Sequence, residues 1–191
     1  PSDAYAKAWD AGLKALSIDE YEPFAPVVLA WVYLWRDRLH DRALAELQKV
    51  CDLNPSNASF RSFLAFAQIY SGDHSAGTAN LEHAMRLNPH FPVLYDNHYM
   101  RGLFHLKRSR EALPHAARVR SHMPQASNAL SLVAAIFASL DMTSEASDVV
   151  AQIGQVSPGF TRRFVAEHLP YRLDEDRAYF LEMLERAGLP E

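Results

Sequence analysis

The chain carries the same helix-stop signal at a fixed interval. Leu-Asn-Pro occurs at residues 53–55 and again at 87–89, each time where a helical apolar pattern ends. The signal extends beyond these copies: Pro23, Pro55, Pro89, Pro124 and Pro158 lie 32, 34, 35 and 34 residues apart, each at the edge of an apolar, alanine-rich segment. Proline disfavours the helical region for the residue before it and has no N–H with which to continue a helix. A spacing of this size, held over several copies, marks an internal repeat.

Within each interval apolar residues recur at i, i+3, i+4 and i+7, with a polar break near the middle, so each unit reads as a helical hairpin. The second unit predicts a helix over 58–70, a break at Ser71-Gly72-Asp73 and a second helix over 74–87. Gly72 suits the left-handed conformation that ends a helix, and Asp73 suits the cap of the next. In the fourth unit the helices fall over 129–140 and 146–156, with Asp141, Thr143 and Ser144 as candidate caps.

Composition limits the function classes. Of 191 residues 49% are hydrophobic, only seven are glycine and the formal charge is −4, enough for a row of small stacked units and no reason to expect nucleic acid or an anionic membrane as partner. The one cysteine, Cys51, excludes an internal disulfide and fits a reducing, cytoplasmic setting. No apolar run approaches the roughly 20 residues of a membrane helix. The chain opens on Pro1 without signal-peptide architecture, and is read as a piece of a longer protein.

Hairpins of about 34 residues with small residues at fixed places resemble the tetratricopeptide repeat (TPR) family. The family places a large and then a small residue in the first helix, small, large and small residues in the second, and then proline. Those positions hold Leu29, Ala30, Ala43, Leu47, Val50 and Pro55; then Leu64, Ala65, Gly77, Leu81, Ala84 and Pro89; then Tyr99, Met100, Ala112, Ala116, Val119 and Pro124; and finally Val133, Ala134, Ala146, Val150, Ile153 and Pro158. Small residues let helices approach and large ones fill the space beside them. Met100 departs from the pattern and predicts a splayed or shifted third unit, while the first unit fits best with one extra residue near Arg38.

The resemblance implies an all-α, right-handed superhelical solenoid of antiparallel helix pairs. Residues 1–23 form an N-terminal helix or partial repeat, 24–158 four repeats (about 24–57, 58–91, 92–126 and 127–159), and 160–191 capping helices, since the last repeat of a stack otherwise exposes an apolar face. Asp174 is the expected cap of the last helix and Gly188 its stop. The ending also resembles the close of the repeat region in bacterial class III adenylate cyclases and in repeat regulators with a winged-helix domain. Leu169-Pro170-Tyr171, the acidic stretch 174–176 and Ala187-Gly188-Leu189-Pro190 carry that likeness. It implies a C-terminal regulatory module of a bacterial signalling protein.

No chemistry is legible in the chain itself. It contains no phosphate-binding glycine loop, no HExxH and no CxxC pair, so no catalytic residue, cofactor or metal site is expected. His98 and His105 share a helical face with Arg101, an arrangement that fits an anion or metal site or, more simply, polar groove residues. Arg101, Lys107, Arg108, Arg110, Arg118 and Arg120 face one acid, Glu111, which fits an acidic partner or a solvated face. Cys51 reads either as a redox thiol or as a small apolar residue on a packed face.

In the TPR family the first helices line a concave groove. Carrying those positions over assigns partner binding to Trp31 and Trp35, Phe66 and Tyr70, and Asn97, Arg101 and His105, with Ser131, Ala135 and Ser139 at the far end. Aromatic and arginine side chains are frequent binding anchors, so a protein or peptide segment is the expected occupant, with homodimerisation as a further possibility. The tryptophans have a second reading, in which they close the core against the N-terminal helix. A carboxylate clamp is disfavoured by Val27, Trp31 and Ser62, although Asn97 and Arg101 retain part of one. The alternative function class is a small-molecule-sensing or dimerisation domain of a TPR-containing transcription regulator.

Overall fold

The computed structural model describes residues 2–19 and 22–191, and every regular element among them is helical. Backbone contacts divide the chain into two compact units, one ending at Pro89 and the other beginning at His90. The first holds α1 (Ser2–Ile18), α2 (Phe24–Val32) continued by a π-helical turn (Tyr33–Asp37), α3 (His40–Leu53), α4 (Ala58–Tyr70) and α5 (His74–Leu87). The second holds α6 (Val93–His105), α7 (Ser109–His122), α8 (Ser127–Ser139), α9 (Thr143–Val156), α10 (Arg162–His168) and α11 (Asp174–Arg186).

Each unit is built of antiparallel hairpins whose first and second helices pack on each other and on the next hairpin within the unit. The small positions make this possible. Ala30, Ala43, Ala65, Ala112, Ala134 and Ala146 are wholly buried, and a methyl group added at Gly77 would stand 2.5 Å from Ile69 Cγ1 and 2.7 Å from the Ala65 carbonyl oxygen. Met100 is also fully buried, and α6 and α7 remain paired around it.

The turn inside each hairpin repeats to the residue. Arg38, Gly72, Lys107 and Asp141 all have positive φ, between 57° and 93°, at spacings of 34, 35 and 34. In three hairpins the residue after it donates back over five positions: Asp73 to Gln68, Arg108 to Leu103 and Met142 to Phe137. In the first hairpin Leu39 instead donates to Tyr33, six positions back. The extra residue expected near Arg38 is therefore absorbed into the π-helical turn at 33–37, the usual way a helix accommodates a one-residue insertion.

Caps follow the sequence only in part. Asp73 caps α5 through Ala76 N–H, Asn57 caps α4 and Thr161 caps α10, each cap contributing about 1 kcal/mol. None of Asp141, Thr143 and Ser144 caps α9, because Met142 occupies the cap position and Asp141 forms the left-handed turn before it. Asp174 likewise is the first residue inside α11, behind Leu173. Gly188 does end α11, at φ 89°, with Leu189 N–H donating to the Leu184 carbonyl.

Candidate interaction surfaces

In the first unit the first helices of two hairpins carry a continuous aromatic cluster. Trp31 meets Phe63 and Phe66 edge-on at 5.8 and 5.3 Å, Trp35 stacks on Phe66 at 6.4 Å and meets Tyr70 at 5.8 Å, and Phe66 meets Tyr70 at 4.8 Å. Phe66 and Tyr70 are buried beneath, whereas Trp31 and Trp35 are half-buried. The two tryptophans thus pack on the next hairpin. It is Trp9 of α1 that meets Tyr33, at 5.4 Å, with the Arg36 guanidinium 5.5 Å from its ring. The π-helical turn carries Trp35, so the inserted residue sets where this side chain leaves the helix.

The aromatic rings fill one another's faces. A cleft of about 670 Å³ in the same unit is lined by other residues, among them Leu16, Pro26, Leu29, Val50 and Leu53 with Glu22, Glu46 and Lys49 at its polar edge. Cys51 is buried on α3, and burial pushes its thiol up to about 11.

The corresponding helices of the second unit, α6 and α8, are covered. Here α11 lies on α8, and α10 packs on α11. Arg101, only 2% exposed, donates from Nη1 to the Tyr171 hydroxyl at 2.7 Å, and its guanidinium lies 5.6 Å from the Phe180 ring. His105 Nε2 reaches the same hydroxyl at 3.1 Å while its Nδ1 is 3.5 Å from the Asp176 carboxylate. Phe104 stacks on Tyr179 at 4.8 Å and meets Phe180 edge-on at 5.8 Å. Two of the three residues expected to line a groove in this unit, Arg101 and His105, are therefore covered by the chain's own C-terminal segment, and the third, Asn97, is half-buried with its side-chain oxygen buried and unbonded among the described residues.

The left-handed turn residues of this unit join the same contact. The Lys107 ammonium sits over the Tyr179 ring, and Asp141 pairs with Arg186. Burial pulls Lys107 below the usual lysine range against the opposing charges of Asp176 and Glu182. Burial likewise raises Tyr179 above the usual phenol range, against a hydrogen bond with Ser139.

Three of the remaining basic residues of the third hairpin have side-chain partners, and Arg110 is exposed. Arg108 pairs with Glu111 at 2.7 Å, Arg118 with the fully buried Asp96 at 3.1 Å, and Arg120 reaches Gln152 at 3.3 Å. His115 joins Asp96 at 2.7 Å, so Asp96 ties α6 to α7. His98 is buried at 3% exposure, and the Tyr171 hydroxyl takes the place beside Arg101 and His105 that a bound anion would need.

Sequence reasoning missed Phe63, Tyr171, Asp176, Tyr179 and Phe180 as members of these surfaces. A signal was present in the last three, which lie on one helix whose acidic start is followed by adjacent aromatic residues.

This architecture is the fold of TPR solenoid proteins. Solved structures with the same fold include the thermophilic TPR protein TTC0263 of Thermus thermophilus, at TM-score 0.68 and 17% identity over 95% of this chain and 91% of that one. YrrB, described as a TPR protein with an unusual peptide-binding site, aligns at TM-score 0.59 and 21% identity over 93% of this chain and 90% of that one. MamA from Desulfovibrio magneticus aligns at 0.61 and 14%, over 88% and 94%. No protein-family model and no curated protein matches the sequence. No helix among the described residues is long and apolar enough to cross a membrane.

Proposed function

We propose that the chain is a noncatalytic protein-interaction module, organised as an N-terminal helix, four repeats over about 24–158 and a C-terminal cap. Its partner-binding surface is the aromatic face of Trp31, Trp35, Phe66 and Tyr70. The observation that carries this reading is the half-buried pair Trp31 and Trp35 resting on fully packed Phe66 and Tyr70. Aromatic side chains held rigid from below lose little entropy on binding, which is why such residues act as anchors. The fold shared with a peptide-binding TPR protein supports a peptide or protein segment as occupant.

The finer placement, in the cytoplasm as the C-terminal regulatory part of a bacterial adenylate cyclase-like or winged-helix signalling protein, rests on the likeness of the ending, residues 169–190. In that setting, binding at the aromatic face biases an attached domain. Panning a displayed peptide library against the chain, with Trp31→Ala and Trp35→Ala as counter-selections, tests the surface. Selected peptides should lose at least tenfold in affinity in each variant at unchanged helicity. Peptides that bind both variants as well as the parent would sink the aromatic-face reading.

The small-molecule alternative draws on the cleft between α1, α2 and α3. It predicts a ligand retained through purification and released on denaturation, detectable by mass spectrometry.

A further inference from the structure

One position of the repeat sends a side chain across its hairpin. In the second hairpin Arg61, near the start of α4, reaches α5 and donates from Nη1 to the Asn80 side-chain oxygen at 3.0 Å. In the third, Asp96 of α6 reaches α7, meeting His115 at 2.7 Å and Arg118 at 3.1 Å. Arg61 and Asp96 lie 35 residues apart, as do Asn80 and His115. One repeat earlier the same two places hold Pro26 and Glu46, at spacings of 35 in the first helix and 34 in the second, the difference being the residue inserted near Arg38. The Pro26 ring is too short to cross. Where a crossing side chain would lie, the first hairpin has the cleft of about 670 Å³, with Pro26, Leu29 and Val50 in its wall and Glu46 at its edge.

The lining of this cleft defines what fits it. Leu29 and Val50 are buried, and Leu53 at the rim is 68% exposed, so a built apolar wall opens to solvent through an apolar lip. Its volume is within the roughly 300–1,000 Å³ of small-molecule sites. Glu46 is half-buried and has no hydrogen-bond or ion-pair partner among the described residues, whereas Lys49 at the same edge is exposed. Glu22 accepts from the Ala25 N–H at 2.6 Å and so offsets the positive start of α2. The last turns of α1 and α3 border the cleft and contain no base, and helix C-termini carry partial negative charge. Asp19 and Asp52 stand exposed at those two ends. The balance favours a cation. A cation is what the second hairpin has at this place, where the charge of Arg61 pulls His83, the residue equivalent to Lys49, below the usual histidine range.

We propose that the cleft binds a small amphiphilic cation, an ammonium or guanidinium head on an aliphatic or aromatic body. The head takes beside Glu46 the place that Arg61 fills in the next hairpin, and the body lies against Pro26, Leu29, Val50 and Leu53. This names the ligand class for the small-molecule reading of the cleft and rests on that reading. It is independent of the tryptophan face.

Calorimetric titration of the chain with octylguanidinium, octanoate and 1-octanol separates the head from the body. Octylguanidinium should bind about tenfold or more tighter than either of the others, the factor that one charge-assisted hydrogen bond supplies. Glu46→Gln should remove most of that preference, and Lys49→Gln should strengthen binding. Pro26→Arg supplies the crossing side chain from within the chain and should abolish binding. Equal affinity for octanoate or octanol, no binding of octylguanidinium, or undiminished binding by a folded Pro26→Arg variant would each overturn the proposal. Should Pro26→Arg not fold, Glu46→Gln decides alone, because unchanged selectivity in that conservative variant refutes a cation site at Glu46. A ligand retained through purification that proves anionic or neutral would uphold the small-molecule reading and refute the cation class.

Discussion

Arg101 donates to the Tyr171 hydroxyl at 2.7 Å, joining α6 to the segment ahead of α11 across 70 residues of sequence. The bond lies in a buried setting where a guanidinium cannot recover its hydration, and His105 shares the same oxygen at 3.1 Å. A position expected from the repeat pattern to meet a partner is thus satisfied from within the chain.

Tyr171→Phe removes that oxygen while keeping the ring. Loss of a buried hydrogen bond to a charged donor costs about 1–3 kcal/mol, so the urea midpoint should fall with little change in slope. Arg101→Ala should fall further, because it also strips the guanidinium from the Phe180 ring. An unchanged midpoint for Tyr171→Phe would show that other groups serve Arg101 as well.

Gly77→Ala tests the helix approach in the second hairpin. The added methyl meets the Ala65 carbonyl oxygen at 2.7 Å, and that oxygen belongs to a helix backbone that cannot yield locally. A loss of about 1–3 kcal/mol is expected from overpacking, despite the better helix propensity of alanine. Gly12→Ala is the control. Its nearest neighbour is the flexible end of Leu29 at 3.0 Å, and its midpoint should move by no more than about 0.5 kcal/mol.

Cys51 should be silent towards thiol reagents. Burial raises its pKa to about 11, so at pH 8 almost none of it is thiolate. The folded pKa lies above the unfolded one. The neutral thiol's contribution is therefore complete below the unfolded value of about 8.5 and is lost as pH rises towards 11. Ellman's reagent should react slowly in the native protein at pH 8 and rapidly in denaturant, and Cys51→Ala should lessen the decline in stability between pH 9 and 11. Rapid native labelling at pH 8 would mean that the α3 surface opens readily.

The helix pairs were legible because each repeats the same small residues and ends at the same proline, and periodicity needs no tertiary information. The inserted residue near Arg38 was legible as a length mismatch, but whether a loop or a helix absorbs it depends on backbone hydrogen bonds that no residue type announces. The contacts of the tail were illegible for a different reason. Arg101 and His105 were expected to face a partner, but a repeat pattern describes neighbours 34 residues apart and is blind to a segment that folds back over 70. Thr143 and Asp174 failed as caps because a capping residue must stand one place outside the helix, and that register shifts by one where the preceding turn is left-handed or extended.

The left-handed turn positions give the last prediction, because they separate local strain from tail anchoring. Arg38→Gly relieves positive φ in the first hairpin and should raise stability by up to about 1 kcal/mol, the usual gain when a strained L-residue becomes glycine. Lys107→Gly relieves the same strain in the third hairpin but removes the ammonium from the Tyr179 ring, a contact worth about 0.5–2 kcal/mol when partly desolvated. Its net effect should therefore be near zero or negative. In a Tyr179→Ala background the ring is absent, only strain relief is left, and Lys107→Gly should become stabilising like Arg38→Gly. That change of sign, read from four urea curves as a double-mutant cycle, measures how much of the strain at Lys107 is retained to hold the tail. Equal gains at Arg38 and Lys107 in the parent would show that Lys107 contributes nothing to docking α11.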